Sequence, residues 1–197
     1  DEFALVRFPS PVATGDAVND LVAMEWYRAH QTGEPNVAPA VVVVHESGRG
    51  MTVGRLLARA FAQQGVQSFL LQLPTYGVRK SGEPRDVANV MDLMRQGIAD
   101  VRRAYDAVAV LPGVDRERIA LQGTSLGGMV AATSASLDGC YDSVFLLLAG
   151  GNLYDLIKNG QRDAANTRRD LEKLGVTDDQ LRQMAAAIEP TRIAQRM

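Results

Sequence analysis

Arg118-Ile-Ala-Leu-Gln-Gly-Thr-Ser-Leu-Gly-Gly-Met-Val130 is the stretch from which the rest of this chain can be read. Ile119 to Leu121 has the composition of a short buried strand, and Leu126 to Leu137 that of a helix leaving it. Between them lies Gly123-Thr124-Ser125-Leu126-Gly127. This G-x-S-x-G pentapeptide stands in the strand–turn–helix setting that a nucleophile elbow requires. So sharp a turn holds its central serine in a strained backbone conformation and pushes the hydroxyl outward. Side chains two residues before and after would collide, a steric reason for Gly123 and Gly127. Gly128, Ala131 and Ala132 are small enough to let the helix approach a sheet closely.

Upstream, Phe3 to Phe8 alternates apolar and polar residues, and Asp20 to Tyr27 follows the turn signal Thr14-Gly15-Asp16. These two predict an antiparallel start to the sheet. A loop from Gln31 to Pro39 precedes Ala40 to Val44, whose apolar run predicts a strand buried on both faces. His45-Glu46-Ser47-Gly48-Arg49-Gly50 follows it, a polar, Gly-bearing loop at the strand end where open α/β sheets build sites. A helix from Val53 to Gly65, a strand from Gln67 to Leu73 and a polar loop from Thr75 to Arg85 come next. The long helix from Asp86 carries Val87, Val90, Met91, Met94, Ile98, Val101, Tyr105 and Val108 at helical period. Pro112-Gly113 ends it, and Val114 to Glu117 leads into the strand before the elbow.

Downstream, Ser143 to Leu148 predicts another buried strand, parallel to those of Ala40–Val44, Gln67–Leu73 and Ile119–Gln122. From Leu153 to Ile188 the pattern turns to short amphipathic helices, with Thr177-Asp178-Asp179-Gln180 as a capping box. Residues 152–188 read as a helical lid within one domain of residues 1–197, or as a connection to further strands. Ile188 to Ile193 looks like the lead-in to another buried strand.

Composition narrows the function classes. A chain of 197 residues is most simply one domain with a sizeable core. Its 46% apolar and 22% charged residues are ordinary for a soluble globular protein. A net charge of −2 argues against nucleic acid or an anionic membrane as partner. Arg168-Arg169 is the densest basic spot and reads as a solvated helix face. A single cysteine, Cys140, excludes an internal disulfide and a Cys-based metal site; it reads as core filler. No apolar run reaches membrane-spanning length and no signal-peptide pattern is present. The opening Asp1 suggests N-terminal processing, compatible with a cytoplasmic or a secreted protein.

Taken together, His45-Glu46-Ser47-Gly48 after its strand and Val114-Asp115-Arg116-Glu117-Arg118-Ile119 feeding Gly123-Thr-Ser-Leu-Gly-Gly128 resemble the α/β-hydrolase superfamily. The similarity is greatest to its dienelactone-hydrolase and acetyl-esterase-like branches, and covers roughly residues 20 to 150. The resemblance implies a mostly parallel sheet flanked by helices and a serine hydrolase acting on a carboxylic ester, lactone or related acyl substrate. It implies no cofactor and no metal. Ser125 would attack the carbonyl, and the Leu126 backbone N–H would face the oxyanion at a helix N-terminus. The second oxyanion donor would come from the backbone at Ser47, with Glu46 as the alternative.

One departure from that pattern shapes the functional reading. The superfamily orders its triad as nucleophile, acid, histidine, yet both histidines of this chain, His30 and His45, precede Ser125. His45 reads as a loop-shaping residue first and as the base second; His30 reads as a solvated polar residue. Asp155 follows the strand Ser143–Leu148 and is a candidate acid, although a helix start explains it equally well. The acid and histidine are therefore expected from beyond Met197 or from a partner chain, and a longer chain or a homo-oligomer is expected to cover the Ser143–Leu148 edge. A non-catalytic hydrolase-fold binding protein, or pseudoenzyme, is the competing class. Acyl transfer on the same elbow is a third.

Overall fold

A computed structural model describes residues 3–30, 37–81, 90–173 and 175–194. Its sheet contains β1 (Ala4–Pro9), β2 (Leu21–Tyr27), β3 (Ala38–Val44), β4 (Gln67–Gln72), β5 (Val114–Thr124) and β6 (Ser143–Leu147). The spatial order is β1-β2-β4-β3-β5-β6. β1 pairs antiparallel with β2, which pairs antiparallel with β4. From β4 onward every pairing is parallel. The antiparallel start and the four parallel neighbours match the sequence expectation.

Helices α1 (Thr52–Gln63), α2 (Val90–Ala109) and α3 (Leu126–Leu137) connect the parallel strands. The crossover after β3 runs to one side and that after β4 to the other, so the winding reverses beside β3. Open sheets bind ligands at the carboxyl ends of strands flanking such a reversal. β3 and β4 are the most buried strands, which explains their unbroken apolar runs. Along α2, Ile98, Val101, Ala104 and Val108 point into the core, whereas Met91 and Met94 stay half-buried. The expected start of this helix at Asp86, and Val87 with it, lies outside the described residues.

Pro39 belongs to β3 rather than to the preceding loop. A proline in a central strand donates no ladder hydrogen bond, and here it sits at an irregularity. Ala38 pairs with Val114 and Ala40 with Ile119, so five β5 positions pass while β3 advances by two. Val114 to Glu117 is correspondingly strand rather than mere approach.

Buried polar groups fasten the outer elements. Glu25 on β2 is fully buried; it accepts hydrogen bonds from Tyr27 Oη at 2.6 Å and Gln72 Nε2 at 3.0 Å and pairs with Arg55 of α1 at 2.5 Å. Burial alone would raise its pKa, but these donors hold the carboxyl below the usual range.

Beyond β6 come α4 (Leu153–Asn159), α5 (Asp163–Lys173), α6 (Asp178–Ala187) and α7 (Pro190–Ala194). The capping box at the start of α6 is formed: Thr177 N donates to Gln180 Oε1 at 2.9 Å and Gln180 N to Thr177 Oγ1 at 3.3 Å. The expected lead-in to a strand at Ile188 to Ile193 is overturned, because Pro190–Ala194 is helical and packs on α3. Proline suits a first helical turn, where its missing N–H costs nothing. Glu189 supplies the cap by accepting from Thr191 N at 3.2 Å and Thr191 Oγ1 at 2.7 Å.

Candidate active site

β5 ends at Thr124, α3 begins at Leu126, and Ser125 alone makes the turn. Its φ of 53° and ψ of −116° lie outside both the right- and the left-handed helical regions. Met51 and Asn152 also have positive φ, yet both rest in the ordinary left-handed well. Ser125 N donates to Leu147 O at 2.9 Å, so the β5–β6 ladder grips the turn from one side. The side chain is half-buried, at the wall of a cleft of about 750 Å³.

The flanking glycines are needed for the steric reason read from sequence. A Cβ on Gly123 would lie 2.5 Å from Gly127 O, and one on Gly127 only 2.2 Å from Val44 O. A Cβ on Gly128 would lie 2.5 Å from Ala149 Cβ. α3 therefore sits directly against β3, β5 and the end of β6. Leu126 is its first residue, so the Leu126 N–H has no carbonyl partner within the helix.

The loop after β3 brings Ser47 to the same cleft as Ser125 and Leu126. Its shape is set by neighbours that the sequence did not single out. Tyr76, in the loop after β4, donates from Oη to Ser47 O at 2.9 Å, and its ring lies 4.5 Å from that of His45. Glu46 turns away from the cleft: its two carboxylate oxygens accept from Val53 N and Gly54 N at 3.0 Å each, capping α1. That orientation suits a helix N-terminus and leaves the Glu46 side chain a structural task.

His45 is fully buried. Its Nε2 accepts from Leu73 N at 3.1 Å, so the proton sits on Nδ1, which faces Glu46 O at 2.6 Å. Burial pushes the imidazole pKa down, against the raising effect of the Glu46 carbonyl. Both ring nitrogens are thus committed to backbone, and the ring ties the loop after β3 to the end of β4. His30 is exposed at the far end of β2. Asp155 lies in the first turn of α4, exposed and bonded to the Asn152 side chain. Neither is among the groups lining the cleft with Ser125. Cys140 lies outside it too, half-buried, with its thiol pKa raised by burial.

Behind the cleft, Arg79 anchors the loop that carries Thr75 and Tyr76. It donates from Nε and Nη2 to Asn19 O at 2.9 and 2.7 Å and from Nη1 to Gln72 O at 2.9 Å. The same guanidinium faces Asp100 at 2.8 Å, both side chains being fully buried. Burial pushes the Asp100 carboxyl up and the Arg79 guanidinium down. Among the described residues, no cluster of three or more His, Cys, Asp or Glu could hold a metal ion. No helix there is long and apolar enough to cross a membrane.

No family model matches the chain. A polyketide transferase of Stachybotrys chlorohalonatus is 40% identical over 81 residues, which is 40% of this chain and 25% of that protein. A hypothetical protein from Pseudomonas aeruginosa superposes with a TM-score of 0.64 at 23% identity, over 88% of this chain and 51% of its own. An acetyl xylan esterase from Paenibacillus gives a TM-score of 0.68 at 16% identity, over 99% of this chain and 71% of its own. An α/β hydrolase from Penicillium gives 0.65 at 18%, over 98% and 75%. The chain thus spans a quarter of the curated relative and about half of the Pseudomonas protein. At such identities the structural likeness is one of fold. Strand order, the strained turn at Ser125 and these superpositions together make this chain a protein of the α/β-hydrolase fold.

Proposed function

We propose that the chain carries the nucleophile of a serine hydrolase that cleaves a carboxylic ester, lactone or related acyl substrate through an acyl-enzyme. The observation that carries this reading is Ser125, a non-glycine residue at φ 53° and ψ −116° beside a cleft. Such strain costs on the order of 1–3 kcal/mol and persists where the surrounding structure enforces it. Ser125 Oγ attacks the acyl carbon while its proton passes to a base. The carbonyl oxygen becomes an oxyanion facing the N–H groups of Leu126 and Ser47. Collapse expels the alcohol, which takes up the proton, and water then releases the acid from the serine ester. An acceptor alcohol or thiol in place of water would make the same site a transferase. The likeness to a polyketide transferase supports keeping that outcome beside hydrolysis.

On this reading the histidine base, and the acid that orients it, are supplied from outside residues 1–197. His45 is occupied by backbone on both nitrogens, and His30 is remote from the cleft. Residues 1–197 alone should therefore label slowly with a fluorophosphonate probe and hydrolyse p-nitrophenyl acetate weakly. Hydrolases stripped of a triad still retain roughly 10³–10⁴-fold catalysis over water. Addition of the histidine-bearing segment or partner should restore turnover, and Ser125→Ala should abolish it. Strong hydrolysis by the 197-residue chain, lost in His45→Ala, would instead make His45 the base. No labelling of Ser125 under any condition would favour the non-catalytic binding protein.

A further inference from the structure

The cleft beside Ser125 is lined mostly by apolar side chains, with polar groups at the Ser125 end and along α5. At one end stand Ser47, Thr75 and Ser125, all on loops at the carboxyl ends of β3, β4 and β5. Away from them the wall is built by α2, α3, α4, α5 and α6; Leu153, Leu156 and Leu181 are among its apolar side chains, and Arg162 just before α5 and Asn166 and Asp170 along it supply polar ones. Methionine is concentrated there. Of seven methionines in the chain, Met91, Met94, Met129 and Met184 line this cleft. All four are half-buried, whereas Met24 and Met51 in the core are 0% and 1% exposed. An unbranched thioether chain with three rotatable bonds adapts its shape to what it contacts. A rigid small substrate would gain little from such a wall, and an acetyl group would leave most of 750 Å³ unfilled.

Resting on the reading of Ser125 as nucleophile, we propose that the cleft receives the acyl part of the substrate as a flexible, apolar chain of medium length, far longer than acetyl. The carbonyl sits at the Ser125 end and the chain runs along the methionine wall between α2 and α6. Each buried methylene adds roughly 0.8 kcal/mol of transfer free energy, so affinity rises steeply with chain length until the cleft is filled.

Binding tests this without requiring a catalytic base. The 197-residue chain is titrated with the fluorescent fatty acid dansylundecanoate, which is then displaced by decanoate or by acetate. Decanoate should displace the probe at a concentration at least about a hundredfold below that of acetate. Met94→Gln and Met184→Gln, which place an amide in the apolar wall, should each weaken decanoate about tenfold. Leu56→Gln, on the exposed face of α1, should leave it unchanged. Equal competition by acetate and decanoate, or no saturable binding by the folded chain, would overturn the proposal. Circular dichroism checks that each variant is folded, and the competition on the unsubstituted chain decides if a methionine variant is not. Failure of fluorophosphonate labelling with decanoate binding intact would remove the nucleophile and leave the chain-length preference standing. Labelling of Ser125 without any preference for decanoate would remove the preference alone.

Discussion

Ser125 and His45 are held by opposite means, one by strain and the other by satisfied hydrogen bonds. A serine at φ 53° and ψ −116° stores energy that glycine would not. Ser125→Gly is therefore expected to stabilise the fold by about 1 kcal/mol in a urea titration while removing fluorophosphonate labelling altogether. An unchanged or lower midpoint would mean that the turn is not strained. His45 titrates in the other sense. Burial lowers its pKa in the fold, so the unfolded chain binds the proton more readily once pH falls below roughly 6.5. Stability from neutral His45 is then fully present above that value and declines as pH falls toward the lowered folded pKa. The urea midpoint should drop between about pH 7 and pH 5, and more steeply for the parent chain than for His45→Gln. Parallel slopes in the two proteins would show that His45 is not the group responsible. Ser125 could be read from its flanking glycines, because the steric demand is local. The occupation of His45 could not, since Leu73 lies 28 positions away.

Among the elements, Glu189 joins the starts of two helices, α4 and α7. Its carboxylate accepts from Asn152 N at 3.0 Å and Leu153 N at 2.7 Å, the start of α4, and also from Thr191 at the start of α7. Burial opposes the charge, yet the hydrogen bonds of Thr191, Leu153 and Asn152 hold the carboxyl below its ordinary pKa. Its contribution is thus present above the unfolded value near 4.3 and lost as pH falls through the folded one. Glu189→Ala should cost about 1–3 kcal/mol by leaving buried N–H groups without an acceptor. Hydrogen exchange at Leu153 to Asn159 should quicken in that variant while exchange in β3 stays slow; protection of α4 unchanged would refute the link. The Thr177 capping box was legible because its partners lie three residues apart. The Glu189 tie was not, because it closes over 36 residues, and the short helix it caps looked like a strand approach.

For the whole molecule, β6 stands out as an apolar strand at the sheet edge. Against the buried strand that Ser143 to Leu148 predicts, Phe145, Leu146 and Leu147 are 55%, 44% and 45% exposed at the edge of the sheet, and Leu148 just past the strand is 89% exposed. Apolar edges of this kind recruit other chains. The 197-residue chain is expected to self-associate with rising concentration in light scattering, and Phe145→Lys with Leu147→Lys should keep it monodisperse. A parent chain that stays monomeric throughout would show that the edge does not drive association. The strands, their parallel run after β4, the helices between them and the turn at Ser125 follow from the sequence by itself. Apolar runs, helical period and glycine spacing act over a few residues, where backbone sterics and burial leave few alternatives. Tertiary structure alone decided which side chains meet: that Glu46 caps a helix, that Tyr76 holds the carbonyl of Ser47, and that four methionines converge on one cleft. Those meetings depend on crossovers that bring distant segments to one end of the sheet, and no short-range pattern encodes such distances.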